Sequence, residues 1–405
     1  MRILFLTQLL PYPPDSGPKI RMYYMLRYLA EQHQVTLVAL VRGNEREEDV
    51  EHLRGSCEAV YTVRLPRSTW RNGWFLIRSL LSGQPFTIVR DWVEEEDQLL
   101  DRLLSTGNYD AFHADQLYTA QYGLSRSSLN AVRTVVDKHN AYFAMVQRLA
   151  DVERNPLKRR LLDREARLLA DYEAEVCRSY DHVLTVTEHD REVLGKLIGE
   201  PNKMLAVPIC VDTELLQPVE RVRKAHELTM VGSMFYPPNV DGVCWFIREV
   251  YPLVQAECPE VKLNVIGARP APAIRQLAAN HPTIRVTGYV DDLTPYLQHT
   301  AAMIVPLRSG SGMRVKIVDA LARGVPVVST TVGAEGLDVI PDEHLLIVDR
   351  PADFAEAVLR LLRDPDVGEH LARAGRRLAE TRYDWRHVYT ALDEIYASRS
   401  NVPTP

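Results

Sequence analysis

The chain has 405 residues, 46% hydrophobic and 25% charged, with a formal net charge of -6. That length exceeds one ordinary core and favours two domains of up to about 200 residues each, while the acidic balance argues against non-specific nucleic-acid binding as the main activity. The five cysteines are odd in number, widely spaced and without a CxxC pair, which fits reduced core thiols in a cytoplasmic protein and gives no metal-ligand cluster.

Ile3 to Thr7 reads as a buried strand. The opening MRILFLTQLLPYPP is broken by prolines and lacks the small-residue cleavage pattern of a signal peptide. The loop QLLPYPPDSGPK precedes IRMYYMLRYLAEQH, whose apolar residues recur at helical spacing. QVTLVALV and AVYTVRL are strands around a charged helical stretch, Glu45 to Cys57. The alternation pauses at PRSTWRNGWFLIRSLLSGQPF and resumes with a helix from Trp92 to Ser105 and a strand in YDAFHAD. Ala131 to Lys138 is another strand, Leu157 to Arg178 a long charged helix, and YDHVLTVT and KMLAVPI are strands around a helix starting near Glu188.

A polar connection, DTELLQPVERVRKAHE, precedes six further strand candidates: ELTMVGSM, VKLNVIGA, TIRVTG, AAMIVPL, VPVVSTT and HLLIVD. Short apolar strands alternating with helices are the pattern of parallel α/β construction, here repeated as two doubly wound domains. The expected division is a first domain over 1–211, a linker over 212–226, a second domain over 227–382, and over 383–405 a helix packing back toward the first domain with a frayed tail. In such sheets ligands bind at the carboxyl ends of the strands.

The run VPLRSGSGMRVKIVDALARGVPVVST carries more than folding requires. Gly310 and Gly312 permit close backbone approach, a helix starting near Met313 offers unpaired amides to an anion, and Arg308, Arg314 and Lys316 add positive charge. A diphosphate suits this loop, and so, on these residues alone, does a solvated turn. Arg323, at the far end of the helix, is expected to face solvent. Asp319 fits either an ion pair with Lys316 or acceptance of hydrogen bonds from ribose hydroxyls. Neither a Walker loop nor the dinucleotide GxGxxG is present. The single DxD, Asp364 to Asp366, surrounds a proline and reads as a turn rather than a metal site.

The order VGSMFYPPNVDGVCWF, VTGYVDDLTPYL, VPLRSGSGMRVKIVDALARGVPVVSTTVGAEGL, with PYPPDSGPKIR, FHAD, VDKHN and VPICVDTELLQP before it, resembles the family 4 retaining glycosyltransferases over nearly the whole chain. The branch it looks closest to is bacterial and associated with exopolysaccharide synthesis. The resemblance implies a GT-B fold, two Rossmann-like domains facing each other across a cleft, and an enzyme of the hexosyltransferase type. It would transfer sugar from a UDP- or GDP-sugar to a glycan, a lipid-linked saccharide or a small molecule, without a metal or other cofactor. A catalytically weak nucleotide-sugar-binding or regulatory protein of the same fold is the alternative.

By the same resemblance the first domain is the acceptor side and the second binds the donor. Asp319 stands where a glutamate contacts donor ribose, and Ser311 where another glutamate contacts sugar hydroxyls. Gly312, Met313 and Arg314 match the backbone that approaches sugar and diphosphate. Gly232 and Ser233 keep the small-residue turn after the first strand of the second domain, but the arginine and lysine that hold the diphosphate there are absent. Arg308, Arg314 or Lys316 is expected to replace them. Tyr289 and Val290 match the loop beside the nucleobase, and Gly17 the glycine loop near donor and acceptor. His113 matches a cleft histidine at the donor sugar, with Asp115 and His139 as acceptor-side candidates, although each histidine alone also suits a structural strand end.

TWRNGWFLIRSLL mixes Trp70, Trp74 and Phe75 with Arg71 and Arg78, and Arg67 lies just before it. Such a segment suits peripheral contact at the cytoplasmic membrane face, or equally a buried helix or acceptor-pocket cover. In LKRRLLDREARLL the interspersed acids favour a solvated, internally paired face.

Overall fold

In a computed structural model the described residues are 1–397 except Asn44, Arg67, Ser125, Pro201, Asn202 and Ser311, together with all but the side chain of Thr69. Two residues singled out above, Ser311 and Arg67, and the tail 398–405 therefore lie outside the described residues. The chain forms two compact units: Met1–Ile209 joined by the segment from Val388 onward, and Cys210–His387.

The first unit is built on β1 (Arg2–Thr7), β2 (Gln34–Val41), β3 (Ala59–Arg64), β4 (Ala111–Asp115), β5 (Arg133–Lys138), β6 (His182–Thr185) and β7 (Met204–Ala206). They form one sheet in the order β3-β2-β1-β4-β5-β6-β7, with every adjacent pair parallel. Strands covered on both faces need apolar residues at nearly every position, which is why their sequences are continuous apolar runs. Leu4 pairs with Phe112 and Phe5 with His113 in register. Leu4, Phe112, Val136 and Val183 are wholly buried in this unit's core.

Helices cover the sheet. Gly17–Gln32 follows β1, and Pro156–Ser179 starts at Asn155, whose side chain accepts from the amides of Leu157 and Lys158 at 3.0 and 3.2 Å. The stretch where the sequence alternation pauses is helical, Thr69–Ser82 and then Phe86–Arg90, and a helix over Tyr142–Val152 precedes the long one.

The second unit repeats the plan with β8 (Glu227–Val231), β9 (Lys262–Ile266), β10 (Ile284–Gly288), β11 (Thr300–Val305), β12 (Val327–Ser329) and β13 (Leu346–Ile347). Their order is β10-β9-β8-β11-β12-β13, again all parallel. In each sheet the chain first builds outward on one side and then crosses to the other. The reversals fall between β1 and β4 and between β8 and β11, where adjacent crossovers diverge and leave a crevice at the strands' carboxyl ends. The first residues of the expected linker are not a free connection: Asp212 and Thr213 are buried, and the Thr213 amide and hydroxyl donate to Asp384 at 3.0 and 2.5 Å. Among the described residues no helix is long and apolar enough to cross a membrane.

Candidate active site

At the reversal point of the second unit, the turn Gly232–Ser233 ends β8 and the loop from Pro306 to Arg314 ends β11. Gly310 and Gly312 hold φ of 126° and 78°, which side-chain-bearing residues rarely adopt, so the loop depends on glycine there. The helix Val315–Ala322 begins after Arg314, whose side chain does not cap it. The Ile317 amide donates to the Arg314 carbonyl at 2.9 Å, and among the described residues nothing accepts from the Val315 and Lys316 amides, which are the ones open to an anion.

Lys316, on the first turn of that helix, bonds Asn239 Oδ1 through Nζ at 3.0 Å, and Asn239 Nδ2 donates to the Ser233 carbonyl at 3.0 Å. The ammonium lies so close to the β8 turn that a Cβ on Gly232 would meet Nζ at 2.7 Å. Burial, assisted by the neighbouring Arg314 guanidinium, pushes Lys316 down to about 8. Behind the turn, a Cβ on Gly267 would fall 1.6 Å from the Gly232 carbonyl oxygen, so β9 can end against β8 only with glycine at that position.

The other two loop cations are differently placed. Arg308, expected among the diphosphate ligands, is held by Asp241 through two bonds of 2.9 and 2.5 Å, so its charge is already answered. Arg314 folds back on its own loop and donates to the Gly312 carbonyl. Asp319 pairs with Arg323 at 2.9 Å rather than with Lys316. Arg323 is accordingly mostly covered rather than solvent-facing, because the i,i+4 geometry of the helix brings it over the carboxylate. Burial pushes the Asp319 carboxyl up against the opposing pull of Arg323. Met313 turns its side chain into the core, leaving its backbone on the loop. Tyr289 is 68% exposed and, with Val290, follows β10, two strands from β8 at the sheet edge. Asp364 caps the helix Pro365–Leu378, accepting from the Asp366 amide at 3.0 Å.

In the first unit the carboxyl ends of β4 and β5 carry a buried polar cluster. Arg21 is wholly buried and grips Asp137 through Nε and Nη2, both at 2.7 Å, while Nη1 donates to the Val207 carbonyl at 2.5 Å. His139 Nε2 lies 3.0 Å from Asp115 Oδ1 and 3.7 Å from Asp137 Oδ2. Burial raises the Asp115 carboxyl above its ordinary range. At Asp137 burial acts the same way, but Arg21 and His139 outweigh it and hold that carboxyl low. One ligand atom each from Asp115, Asp137 and His139 lies within 4.8 Å of the others, close enough for a metal, yet both Asp137 oxygens already accept from a guanidinium. The residue after Asp115, Gln116, has φ 68°, a strained conformation for a side-chain-bearing residue.

His113, expected at the donor sugar, lies inside the first unit. Its ring is fully buried, stacks on Phe5 with centroids 4.2 Å apart, and bonds the Tyr396 hydroxyl through Nδ1 at 2.6 Å. The reason is register: opposite Phe5 in the sheet, its side chain points into the packed face rather than off the strand end. Gly17 opens the helix Gly17–Gln32, where Ser16 makes no side-chain cap. The structure thus brings Gly232, Ser233 and Lys316 together at one reversal point, and Asp115 and His139 at the other. Sequence reasoning misses Asn239, Arg21 and Asp137. An arginine inside the apolar run IRMYYML, and an aspartate closing the strand TVVDK, are the signals that could have found the last two.

The family model described as "Glycosyltransferase Family 4" matches residues 16–215, and that described as "Glycosyl transferases group 1" matches 225–364. An "Uncharacterized 44.6 kDa protein in cps region" of Klebsiella pneumoniae is 22% identical over 400 residues, covering 96% of this chain and 98% of that protein. The "MMP alpha-(1->4)-mannosyltransferase" of Mycolicibacterium hassiacum is 27% identical over 299 residues, covering 72% and 71%. Among solved structures, HepE of Anabaena in complex with UDP aligns with TM-score 0.66 at 13% identity, covering 98% of this chain and 99% of that one, and its UDP-glucose complex aligns with TM-score 0.65. With two parallel α/β sheets of the GT-B class and two family models that between them match most of its length, the chain belongs to the family 4, group 1 glycosyltransferases.

Proposed function

We propose that this glycosyltransferase takes a hexose from a UDP- or GDP-sugar and transfers it with retention to an acceptor used in exopolysaccharide assembly. The observation that carries the reading is the position of Lys316, whose ammonium stands beside the Gly232 turn that lacks cations of its own. A diphosphate in the β8/β11 crevice would meet the open amides of the helix Val315–Ala322 and this ammonium, which together stabilise the negative charge that accumulates on the leaving group. Asp319 keeps one carboxylate oxygen beyond its bond to Arg323 and would accept from ribose hydroxyls on the same helix face. Retention follows in our reading from departure and attack on one face of the sugar, with the leaving phosphate taking the acceptor proton. The complexes of HepE with UDP and UDP-glucose support a nucleotide-sugar donor, and the cps region named for the Klebsiella relative supports exopolysaccharide as the product class.

The test is a mass-resolved screen of the purified full-length chain against UDP- and GDP-sugars with soluble and lipid-linked acceptors, reporting nucleotide release and product mass together. Lys316→Ala should raise the donor KM or lower kcat by about tenfold to a hundredfold, the range for a charged hydrogen bond in a partly buried site. Because a lysine near 8 loses its proton as the pH rises, donor affinity of the wild type should fall between pH 7 and 9, and Lys316→Arg should flatten that fall. A Lys316→Ala variant with normal donor kinetics sinks the assignment.

A further inference from the structure

The helix Thr69–Ser82 shows a face that its own unit does not cover. Among its described side chains only Phe75 and Ser79 turn fully inward, and the helix is pinned through Ser79, whose hydroxyl donates to the Gln84 carbonyl at 2.7 Å and whose carbonyl accepts from Arg164 Nη2 at 2.8 Å. Trp70, Trp74, Ile77 and Leu81 follow at spacings of four, three and four, which is one stripe of an α-helix, and all four are exposed, Trp70 at 89% and Leu81 at 84%. Leu76 and Leu80 widen the stripe. At 3.6 residues per turn Arg71 and Arg78 fall together along one border of it. An amphipathic helix of a folded domain ordinarily buries its apolar stripe, and this one carries it outward.

A second element extends the face. The helices Tyr142–Val152 and Pro156–Ser179 form a hairpin whose tip exposes Leu149, Val152, Leu157 and Leu161, and around it Arg154, Lys158, Arg159 and Arg160 are also exposed. Arg164, which holds Ser79, comes one turn after Leu161, so the tip adjoins the carboxyl-terminal half of the helix Thr69–Ser82. From Arg64 through Arg90 the sequence has no acidic residue, in a chain whose net charge is -6.

We propose that this face of the first unit docks reversibly on an anionic lipid bilayer. Trp70, Trp74, Ile77 and Leu81 enter the boundary between headgroups and acyl chains, Arg71 and Arg78 lie at the headgroup phosphates, and the basic hairpin tip adds a second contact. Indole and guanidinium groups beside an aliphatic stripe match that boundary, which offers hydrocarbon and anionic charge side by side. A second copy of the chain fits less well, because a symmetric pairing of the stripes would bring Arg71 and Arg78 up against their own counterparts, and the acids that share their hollow, Glu94 and Glu95, belong to the same unit and come with each copy. The docking face stands independently of the transfer reaction.

The test uses the full chain with vesicles of phosphatidylcholine alone and of phosphatidylcholine with about one third phosphatidylglycerol, read by co-sedimentation and by tryptophan emission. The wild type should partition onto the anionic vesicles with a blue shift, and added salt should weaken it. Trp70→Ser/Trp74→Ser/Leu81→Ser and, separately, Arg71→Gln/Arg78→Gln should each cut the partition by about tenfold or more while the thermal transition stays put. If one set unfolds, the other still decides the matter. Equal partition onto both vesicle types, wild-type binding by both variant sets, or a dimer that ignores vesicles and falls apart in the triple variant would each overturn the proposal.

Discussion

His113 shows how one ring can be read two ways. As a strand-end histidine in a sugar-transfer family it suggests contact with substrate, but its stacking on Phe5 and its bond to Tyr396 make it part of the core. Burial pushes the imidazole down to about 4. The unfolded chain takes up that proton near 6.5 and the folded chain does not, so stability is lost as the pH falls from about 6.5 toward 4. His113→Ala should cost about 2–4 kcal/mol at pH 7 through the lost ring and the stranded Tyr396 hydroxyl. Urea titrations of wild type and variant should show that gap narrowing by about 2 kcal/mol at pH 5, where only the wild type still bears the penalty of a buried neutral imidazole. A gap of constant size at both pH values would mean that the ring titrates as freely in the folded chain as in the unfolded one.

At the scale of strands and helices, the parallel sheets were legible because strands buried on both faces spell themselves as apolar runs, QVTLVALV and AAMIVPL among them. The helix Thr69–Ser82 was harder to read for the opposite reason: its apolar residues lie on an exposed stripe, so periodicity could not say whether it faced a core. What the pattern could not carry at all is contact across distance in the chain. Lys316 and Asp319 stand out as a cation and an acid after a glycine loop, but the partner of Lys316 lies 77 residues away and that of Arg21 lies 116 away, and no local periodicity links them. The meeting of β8 and β9 is of the same kind. Gly267→Ala should force the Gly232 turn to shift, at a cost of about 2 kcal/mol or more, and should weaken donor binding along with the stability of the second unit. Calorimetric titration of the active donor beside a thermal melt checks this, and an alanine variant with unchanged affinity would show that the turn does not shape the site.

For the molecule as a whole, the two units differ in how the chain supplies them. Cys210–His387 is one continuous stretch, whereas the first unit also needs the segment from Val388 onward. That segment is well anchored: the Tyr389 hydroxyl donates to the Arg21 carbonyl at 3.0 Å, Asp393 accepts from the Tyr28 hydroxyl at 2.7 Å, and the Ile395 carbonyl accepts from Arg133. A fragment Cys210–His387 should therefore fold cooperatively and, on the proposed function, bind UDP or GDP. Residues 1–209 alone should melt about 10 °C or more below the first unit of the intact chain, the shift expected from losing several kcal/mol in a domain of this size. Melting curves of the two fragments decide it, and a fragment 1–209 as stable as the intact unit would make the returning segment dispensable. The same return also orders events on the ribosome. Tyr389 and Tyr396 are translated about 180 residues after Ile209, a delay of roughly ten to forty seconds at ordinary elongation rates. During that interval the nascent sheet that begins with β1 waits with the Tyr396 side of His113 uncovered, while the later stretch emerges whole, so the half of the enzyme made first is the half completed last.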